Sequence, residues 1–230
     1  VVHVAVGNGR TLAVSSTGAL WVWGSGHRGQ PGHGDTQDQP VPRRVEALAA
    51  ERVVQVAAGG YHSLAVASTG ALWAWGGGDG GQLGHGDRQD QLVPRRVGAL
   101  AAGRVVQVAA GAFHTLAATS TGALWTWGRG GYGQLGHGDT QDQLVPRRVE
   151  ALAAGRVVQV AAGAFHTLAA TSTGALWAWG HGHGAQLGHG DTQDQLVPRR
   201  VQALAAERVV QVAAGGYHTL AVTSTGALWA

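Results

Sequence analysis

Histidine is the residue type in this sequence that most invites a chemical role, because it recurs at fixed positions. One set follows a GxxH pattern and the other lies in a GHGD motif. The members are His62, His114, His166 and His218 in the first set, and His33, His85, His137 and His189 in the second. A metal site needs ligands that converge on one point, whereas these histidines are dispersed along the chain. We therefore predict structural histidines, each bonded to a neighbouring backbone carbonyl, and no metal ion.

One pair of histidines departs from this pattern. His181 and His183 share a single loop, so two imidazoles lie close together in sequence. Adventitious metal binding is the alternative interpretation at this loop, since imidazole is a common ligand for transition metals.

A glycine fingerprint follows a predicted strand at four places, as GSGHRG, GGGDGG, GRGGYG and GHGHGA from Gly24, Gly76, Gly128 and Gly180. In a dinucleotide-binding fold the pattern G-x-G-x-x-G holds pyrophosphate at a helix N-terminus. Here QLGHGD or a close variant follows, without a predicted helix. The fingerprint therefore indicates a loop shaped by glycine, and no cofactor is expected.

Arginine pairs recur at positions 43/44, 95/96, 147/148 and 199/200. Neighbouring residues of a strand point to opposite faces, which favours an Arg–Asp brace between adjacent sheets through Asp90, Asp142 and Asp194. A basic ring for DNA phosphates is the alternative, although a net charge of +3 without a clustered patch makes nucleic acid an unexpected partner. Asp87 and its equivalents are expected to cap turns.

Catalytic signatures are absent from the sequence. There is no cysteine, and no nucleophile elbow, P-loop, HExxH or paired catalytic carboxylate is found. We predict that the chain is not an enzyme. It also has no long apolar stretch and no signal peptide, so no membrane association is expected, and a cytoplasmic or nuclear location is favoured.

The elements that position these residues repeat. VVQVAAG begins at Val53, Val105, Val157 and Val209, at intervals of 52 residues. A repeat of this length is typical of solenoids and propellers. We predict one array with units at 1–52, 53–104, 105–156 and 157–208 and a partial unit at 209–230. The sequence opens and closes in mid-pattern, which predicts a piece of a longer array.

Each unit predicts four strands. Val53–Ala58 and His62–Ala67 are β-branched or apolar runs bounded by glycine, and a tight turn leads to Ala71–Trp75. Leu92–Val97 is a fourth strand, placed at an edge because Pro94 cannot donate to a ladder. Residues 98–104 allow a helical turn.

Both faces of these strands are apolar, so both faces must be covered. Four-stranded sheets stacked around an axis satisfy this requirement, with the tryptophans of the third strand as the largest buried groups. Trp75, Trp127 and Trp179 are therefore predicted to be structural, together with the GxxH histidines. The fold class is all-β, a propeller-like array of four-stranded antiparallel blades.

GGYHTLAV, STGALWAWG, GQLGHGD and LVPRRVEAL, in this order and period, resemble the repeat of the regulator of chromosome condensation family of β-propellers. The resemblance implies a ring of seven blades, whereas four units and a partial fifth would form an arc, or a smaller or self-associated ring joined through open blade edges. Two activities found in this family are nucleotide exchange and ultraviolet-B sensing, and the resemblance raises both for this chain. Guanine-nucleotide exchange on a small GTPase depends on insertions outside the regular blades, which the even spacing lacks. Ultraviolet-B sensing uses tryptophan beside the GxxH histidine, where this chain has tyrosine or phenylalanine.

Variation between units is concentrated in the glycine fingerprint. Units three and four differ in this loop at Arg129, Gly131, Tyr132 and Gly133 against His181, His183, Gly184 and Ala185. Loops on a rigid scaffold often carry binding residues, although neutral drift is the alternative. We predict a non-catalytic scaffold that binds an unidentified protein through these loops, with nucleotide exchange or chromatin association as alternatives. The candidate partner-binding residues are His27, Arg28, Asp79, Arg129, Tyr132, His181 and His183.

Overall fold

The computed structural model describes residues 1–230 as five antiparallel sheets that follow one another along the chain. Four sheets have four strands and the last has three, and in every sheet neighbouring strands are consecutive in sequence. This confirms the predicted all-β, propeller-like class.

The strand bounds repeat from sheet to sheet. The first sheet contains β1 (His3–Gly7), β2 (Arg10–Val14), β3 (Leu20–Gly24) and β4 (Gln39–Arg44). The second contains β5 (Val53–Ala58), β6 (His62–Ala67), β7 (Leu72–Gly76) and β8 (Gln91–Arg96). The third contains β9 (Val105–Ala110), β10 (His114–Thr119), β11 (Leu124–Gly128) and β12 (Gln143–Arg148). The fourth contains β13 (Val157–Ala162), β14 (His166–Thr171), β15 (Leu176–Gly180) and β16 (Gln195–Arg200). The fifth contains β17 (Val209–Ala214), β18 (Thr219–Thr223) and β19 (Leu228–Trp229).

Small shifts separate the predicted and observed bounds. The third strand of the second sheet is Leu72–Gly76 and the fourth is Gln91–Arg96, each displaced by one residue from the prediction. The fourth strand lies at the sheet edge, and its pairing with β7 contains a register shift before Gly76. An edge position and a bulge are where a strand tolerates proline, here Pro94. A 3₁₀ turn at Gly98–Leu100 follows this strand.

The order of strands within each sheet places the first strand innermost. β1, β5, β9, β13 and β17 lie next to one another from sheet to sheet. The fourth strands are outermost and largely solvent exposed. The array is open, since the close contacts join each sheet to the next one along the chain and none joins the fifth sheet to the first.

The core consists of four apolar clusters, one between each pair of successive sheets. Between the first two sheets, Leu12 and Val22 meet Val56, Ala65 and Trp75. All five side chains are nearly inaccessible to solvent. Burying a large apolar side chain contributes about 1.5–3 kcal/mol relative to its exposed state, so each sheet is stabilised mainly by its neighbours.

The chain contains no helix of the length and apolar character that crossing a bilayer would require.

Candidate interaction surface

The variable loops all emerge at the same end of the sheets, directly after the third strand. In the second sheet, Gly77 N–H donates to the carbonyl of Tyr61 over 2.8 Å, which ties this loop to the turn between β5 and β6. The Asp90 carboxylate accepts from Gly78 N–H at 2.8 Å. Asp38, Asp142 and Asp194 hold the equivalent loops in the same way. We call this surface the loop face: residues 25–29, 77–81, 129–133 and 181–185 with the adjoining turns at Tyr61, Phe113, Phe165 and Tyr217.

The glycine fingerprint has a steric reason in this geometry. A Cβ at Gly78 would lie 2.1 Å from the carbonyl oxygen of Gln89, so only glycine fits there. The strand that precedes the loop is followed by no helix, which removes the helix N-terminus that pyrophosphate binding requires. The glycines of the fingerprint therefore let the start of each loop pack closely against the later part of the same connection.

A chain of charged residues crosses three loops of the loop face. Asp79 lies between two arginines, with Arg28 Nη1 3.1 Å from Oδ1 and Arg129 Nη2 2.9 Å from Oδ2. Arg28 also lies 3.6 Å from Asp90. The side chains of Arg28, Asp79 and Arg129 are 33%, 36% and 43% exposed, so these ion pairs stabilise the fold only slightly. The arrangement keeps two guanidinium groups ordered at the surface.

An aromatic row runs beside the charged residues. Tyr61 and Phe113 are stacked with ring centroids 4.8 Å apart, and His27 meets the edge of Tyr61 at 6.3 Å. The guanidinium of Arg129 lies 4.1 Å above the Phe113 ring, and that of Arg28 lies 5.7 Å from the Tyr61 ring. These contacts are within the range of cation–π attraction, so the arginines and the rings form one connected surface.

The row continues into the fourth and fifth sheets. Tyr132 contacts Phe165 at 5.3 Å and His181 at 4.8 Å between centroids. His181 in turn lies 4.7 Å from His183, and Phe165 lies 6.3 Å from Tyr217. Tyr132 and Tyr217 are 40% and 63% exposed. This second half of the loop face is aromatic and imidazole-rich, without arginine beyond Arg129.

The structure thus brings all seven predicted binding residues onto one surface. Sequence reasoning missed the aromatic residues of the adjoining turns, which contact one another as Tyr61 with Phe113 and Phe165 with Tyr217. The available signal was the aromatic residue that precedes every GxxH histidine in the second to fifth sheets.

The GxxH histidines lie below the loop face and join successive sheets. His62 Nε2 lies 2.7 Å from Thr115 Oγ1, His114 Nε2 3.1 Å from Thr167 Oγ1, and His166 Nε2 3.1 Å from Thr219 Oγ1. The predicted bond to a backbone carbonyl is therefore wrong for these rings, because their partner is a hydroxyl of the next sheet. His218 is exposed, since the fifth sheet has no following sheet in this chain.

Burial keeps these imidazoles neutral. It lowers the pKa of His114 to about 3, with a smaller contribution from the charge of His166. Burial also lowers the pKa of His166 to about 4, and that of His62 well below its usual range. Each threonine hydroxyl donates to a loop carbonyl, as Thr115 does to Gln82 at 2.8 Å, so it accepts from the imidazole N–H. A buried ring that is held neutral in this way is poorly suited to acid–base chemistry.

In the first sheet an arginine stands at the place of this histidine. Arg10 is buried and its Nε donates to Ser63 Oγ at 3.1 Å, the hydroxyl that occupies the place of Thr115. Its Nη2 also donates to the carbonyls of Gly59 and His62. Burial lowers the pKa of Arg10 to about 10. The guanidinium therefore performs the same joining role between the first two sheets.

The third-strand tryptophans form the other link between sheets. Trp75 Nε1 donates to the carbonyl of Gln30 in the preceding sheet's connection at 2.8 Å. Trp127 and Trp179 do the same to Gln82 and Gln134, at 2.9 and 3.0 Å. All three rings are fully buried.

The arginine pairs do not brace adjacent sheets through Asp90, Asp142 and Asp194 as predicted. Arg95, Arg147 and Arg199 instead pair with Asp87, Asp139 and Asp191 of their own connections, at 3.4, 3.3 and 2.9 Å. The fourth strand is outermost, so its arginine reaches the nearby connection more readily than a neighbouring sheet. The same aspartates accept a backbone N–H two residues on, as the predicted turn caps.

Taken together, stacked four-stranded sheets linked by a histidine and a tryptophan define an open array of propeller blades. Residues 1–230 match the family model of the RCC1-like domain over their whole length. The chain belongs to this family.

Among its relatives, the ultraviolet-B receptor UVR8 of Arabidopsis thaliana is 42% identical over 230 residues, which are 100% of this chain and 52% of that protein. The human E3 ubiquitin-protein ligase HERC2 is 40% identical over 98% of this chain and 5% of its own length. The chain therefore spans about half of UVR8 and a small part of HERC2.

Solved structures agree with this placement. The crystal structure of human WBSCR16 superposes with a TM-score of 0.86 at 30% identity, covering 96% of this chain and 57% of the other. Yeast RCC1 (Prp20), solved with Kap60 bound, gives a TM-score of 0.85 at 25% identity, covering 98% of this chain and 54% of the other.

Proposed function

We propose that this chain is a non-catalytic module that binds a protein partner through the loop face. The observation that carries the proposal is the ordered, half-exposed row of arginine, tyrosine, phenylalanine and histidine on loops held by a rigid array. Arginine and aromatic residues are enriched at protein interfaces and supply most of the affinity there. The arginines at positions 28 and 129 are already oriented by Asp79, which lowers the entropy lost on binding.

The family supports a protein partner in general terms. A relative of the same fold, yeast RCC1 (Prp20), has been crystallised with another protein, Kap60, bound to it. The charged first half of the loop face favours a partner segment that carries both carboxylates and apolar side chains, since guanidinium groups and aromatic rings alternate along it. Nucleotide exchange on a small GTPase and chromatin association stay predictions.

The test compares affinity capture from the native source with three baits: the parent chain, a loop-face variant and an outer-strand control. The loop-face variant combines Arg28→Ala, Arg129→Ala and Tyr132→Ala. The control combines Arg95→Ala and Arg147→Ala, which removes two exposed, aspartate-paired arginines of the fourth strands, outside the loop face. We expect a partner that is captured by the parent chain and the control and lost from the loop-face variant.

The proposal fails if the captured proteins are unchanged by the loop-face substitutions, or if only the outer-strand control loses them. Melting temperatures of all three baits exclude unfolding as the cause of a loss. Purified partner and chain, measured by isothermal titration, then give the loss of affinity for each substitution.

A further inference from the structure

The loop of the fourth sheet brings three potential metal ligands together. His181, His183 and Asp194 each offer one ligand atom, and these atoms all lie within 4.8 Å of one another. His183 Nε2 is 3.8 Å from Asp194 Oδ1. The carboxylate comes from the other end of the same connection, 11 residues beyond His183 in sequence, so only the fold shows its proximity.

The combination is peculiar to the fourth sheet. The aspartate is common to all four connections, where it accepts a loop backbone N–H. The positions of His181 and His183 carry other pairs in the first, second and third sheets. These pairs are Ser25 and His27, Gly77 and Asp79, and Arg129 and Gly131.

The charge around the aspartate differs as well. Asp90 lies 3.6 Å from Arg28, and Asp142 lies 2.9 Å from Arg88. Asp194 has no arginine within ion-pair distance, and its one such neighbour is His183. Its side chain is 29% exposed. This carboxylate, like Asp38 of the first sheet, therefore lacks the arginine that lies beside Asp90 and Asp142.

Two of the three ligands are already held in place. Asp194 Oδ1 accepts from Gly182 N–H at 2.8 Å, and His181 Nδ1 lies 2.8 Å from the amide nitrogen of the buried Gln186. The edge contact with Tyr132 further restricts the His181 ring. The third ligand, His183, is 70% exposed and free to rotate.

We propose that His181, His183 and Asp194 form a binding site for a divalent transition-metal ion of the zinc class. Two imidazoles and one carboxylate are an established three-ligand set for zinc. Bond lengths of 2.0–2.2 Å in tetrahedral geometry place ligand atoms about 3.4 Å apart. The ligand atoms now lie within 4.8 Å of one another, and the exposed His183 ring is the ligand that can move to close the site. The fourth position faces solvent and takes water or a donor atom of another molecule.

The test is titration of the tag-free chain with zinc alone, followed by isothermal titration calorimetry. We expect one ion per chain. The double variant His181→Arg, His183→Gly installs the residues that the third sheet's loop carries on the same fold. This variant should bind zinc more weakly by at least about 10-fold, because even loss of an outer-shell contact typically costs that much. Asp194→Asn should have a similar effect.

Asp142→Asn is the matched control, since Asp142 occupies the same place in the third sheet without histidines beside it. It should leave zinc affinity unchanged. The proposal is overturned if the wild-type chain takes up no zinc, if the double variant retains the wild-type affinity, or if Asp142→Asn weakens binding as much as Asp194→Asn. A zinc anomalous-scattering peak in crystals, located among the three side chains, would give direct support, whereas a peak elsewhere would refute it.

Discussion

Nε2 of His114 lies 3.1 Å from Oγ1 of Thr167, and the two residues belong to successive sheets. The Thr167 hydroxyl in turn donates to the carbonyl of Gln134 at 2.8 Å, and Trp179 Nε1 donates to the same carbonyl at 3.0 Å. One threonine and one tryptophan therefore meet at a single loop carbonyl, and the histidine of the preceding sheet bonds the threonine hydroxyl. This buried polar link fixes the position of each sheet relative to the one before it.

The buried histidines should make the array unstable in mild acid. In the unfolded chain a histidine takes up a proton near pH 6.5, whereas burial lowers the pKa of His114 to about 3 and of His166 to about 4 in the folded chain. The unfolded state thus binds more protons, and stability falls as the pH drops from about 6.5 towards about 4. We expect a loss of about 1 kcal/mol for each such histidine between pH 7 and about 5.5.

Denaturant unfolding at a series of pH values measures this effect, and His114→Gln isolates one contribution. Glutamine retains an amide that can donate to Thr167 but does not titrate. The variant should be less stable than the wild type at pH 7 and should lose about 1 kcal/mol less on acidification. An unchanged pH dependence in His114→Gln would show that the ring does not contribute.

Two tryptophans of the same strand should respond differently to loss of the indole N–H. Trp127 Nε1 donates to Gln82, whereas Trp125 Nε1 is buried without a hydrogen-bond partner. Phenylalanine removes the same atoms at either position, and at the fully buried Trp127 it also removes a hydrogen bond that the half-buried Trp125 does not make. We expect Trp127→Phe to reduce the free energy of unfolding by about 1 kcal/mol more than Trp125→Phe. Equal losses in urea titrations would contradict a role for this bond.

The charged part of the loop face should matter little for stability. Asp79 is partly exposed and its ion pairs with Arg28 and Arg129 are reachable by solvent. We expect Asp79→Asn to change the free energy of unfolding by less than about 1 kcal/mol. The change should shrink further in about 1 M salt. A loss of several kcal/mol would mean that Asp79 holds the fold and would weaken its assignment to partner binding.

The strands, the open propeller and the family were predictable from sequence because the same short motifs recur in phase. The blade's apolar faces and its glycine turns are local properties, and a strand such as His62–Ala67 is bounded by them. The fold-class prediction rests on these signals and is confirmed.

The contacts between sheets were not predictable in the same way. The partner of His62 is Thr115, 53 residues away, and this pairing depends on how far one sheet is rotated relative to the next. The stacking of Tyr61 on Phe113 depends on the same rotation. A single unit read in isolation contains none of this information.

Backbone conformation at the end of the variable loop gives a final prediction. Ala185 has φ of 58°, the one positive value at a residue other than glycine, where the preceding loops have Gly29, Gly81 and Gly133. An L-residue in this region costs about 1–2 kcal/mol, partly offset by the lower entropy of an unfolded chain with alanine. Ala185→Gly should therefore raise the free energy of unfolding by about 0.5–1 kcal/mol.

The reverse substitution, Gly133→Ala, should destabilise the fold by more than the cost of a positive φ alone. Its φ is 74°, and a Cβ there would also lie 2.5 Å from Leu196 Cδ2 and 2.7 Å from Leu196 Cα of the next sheet. Strain and overpacking together should reduce the free energy of unfolding by about 2–4 kcal/mol. Thermal and urea unfolding of both variants check the pair, and destabilisation by Ala185→Gly would show that the positive φ carries no cost. Because the two residues occupy the same place in adjacent blades, their difference separates the cost of the backbone angle from that of the contact with the following sheet.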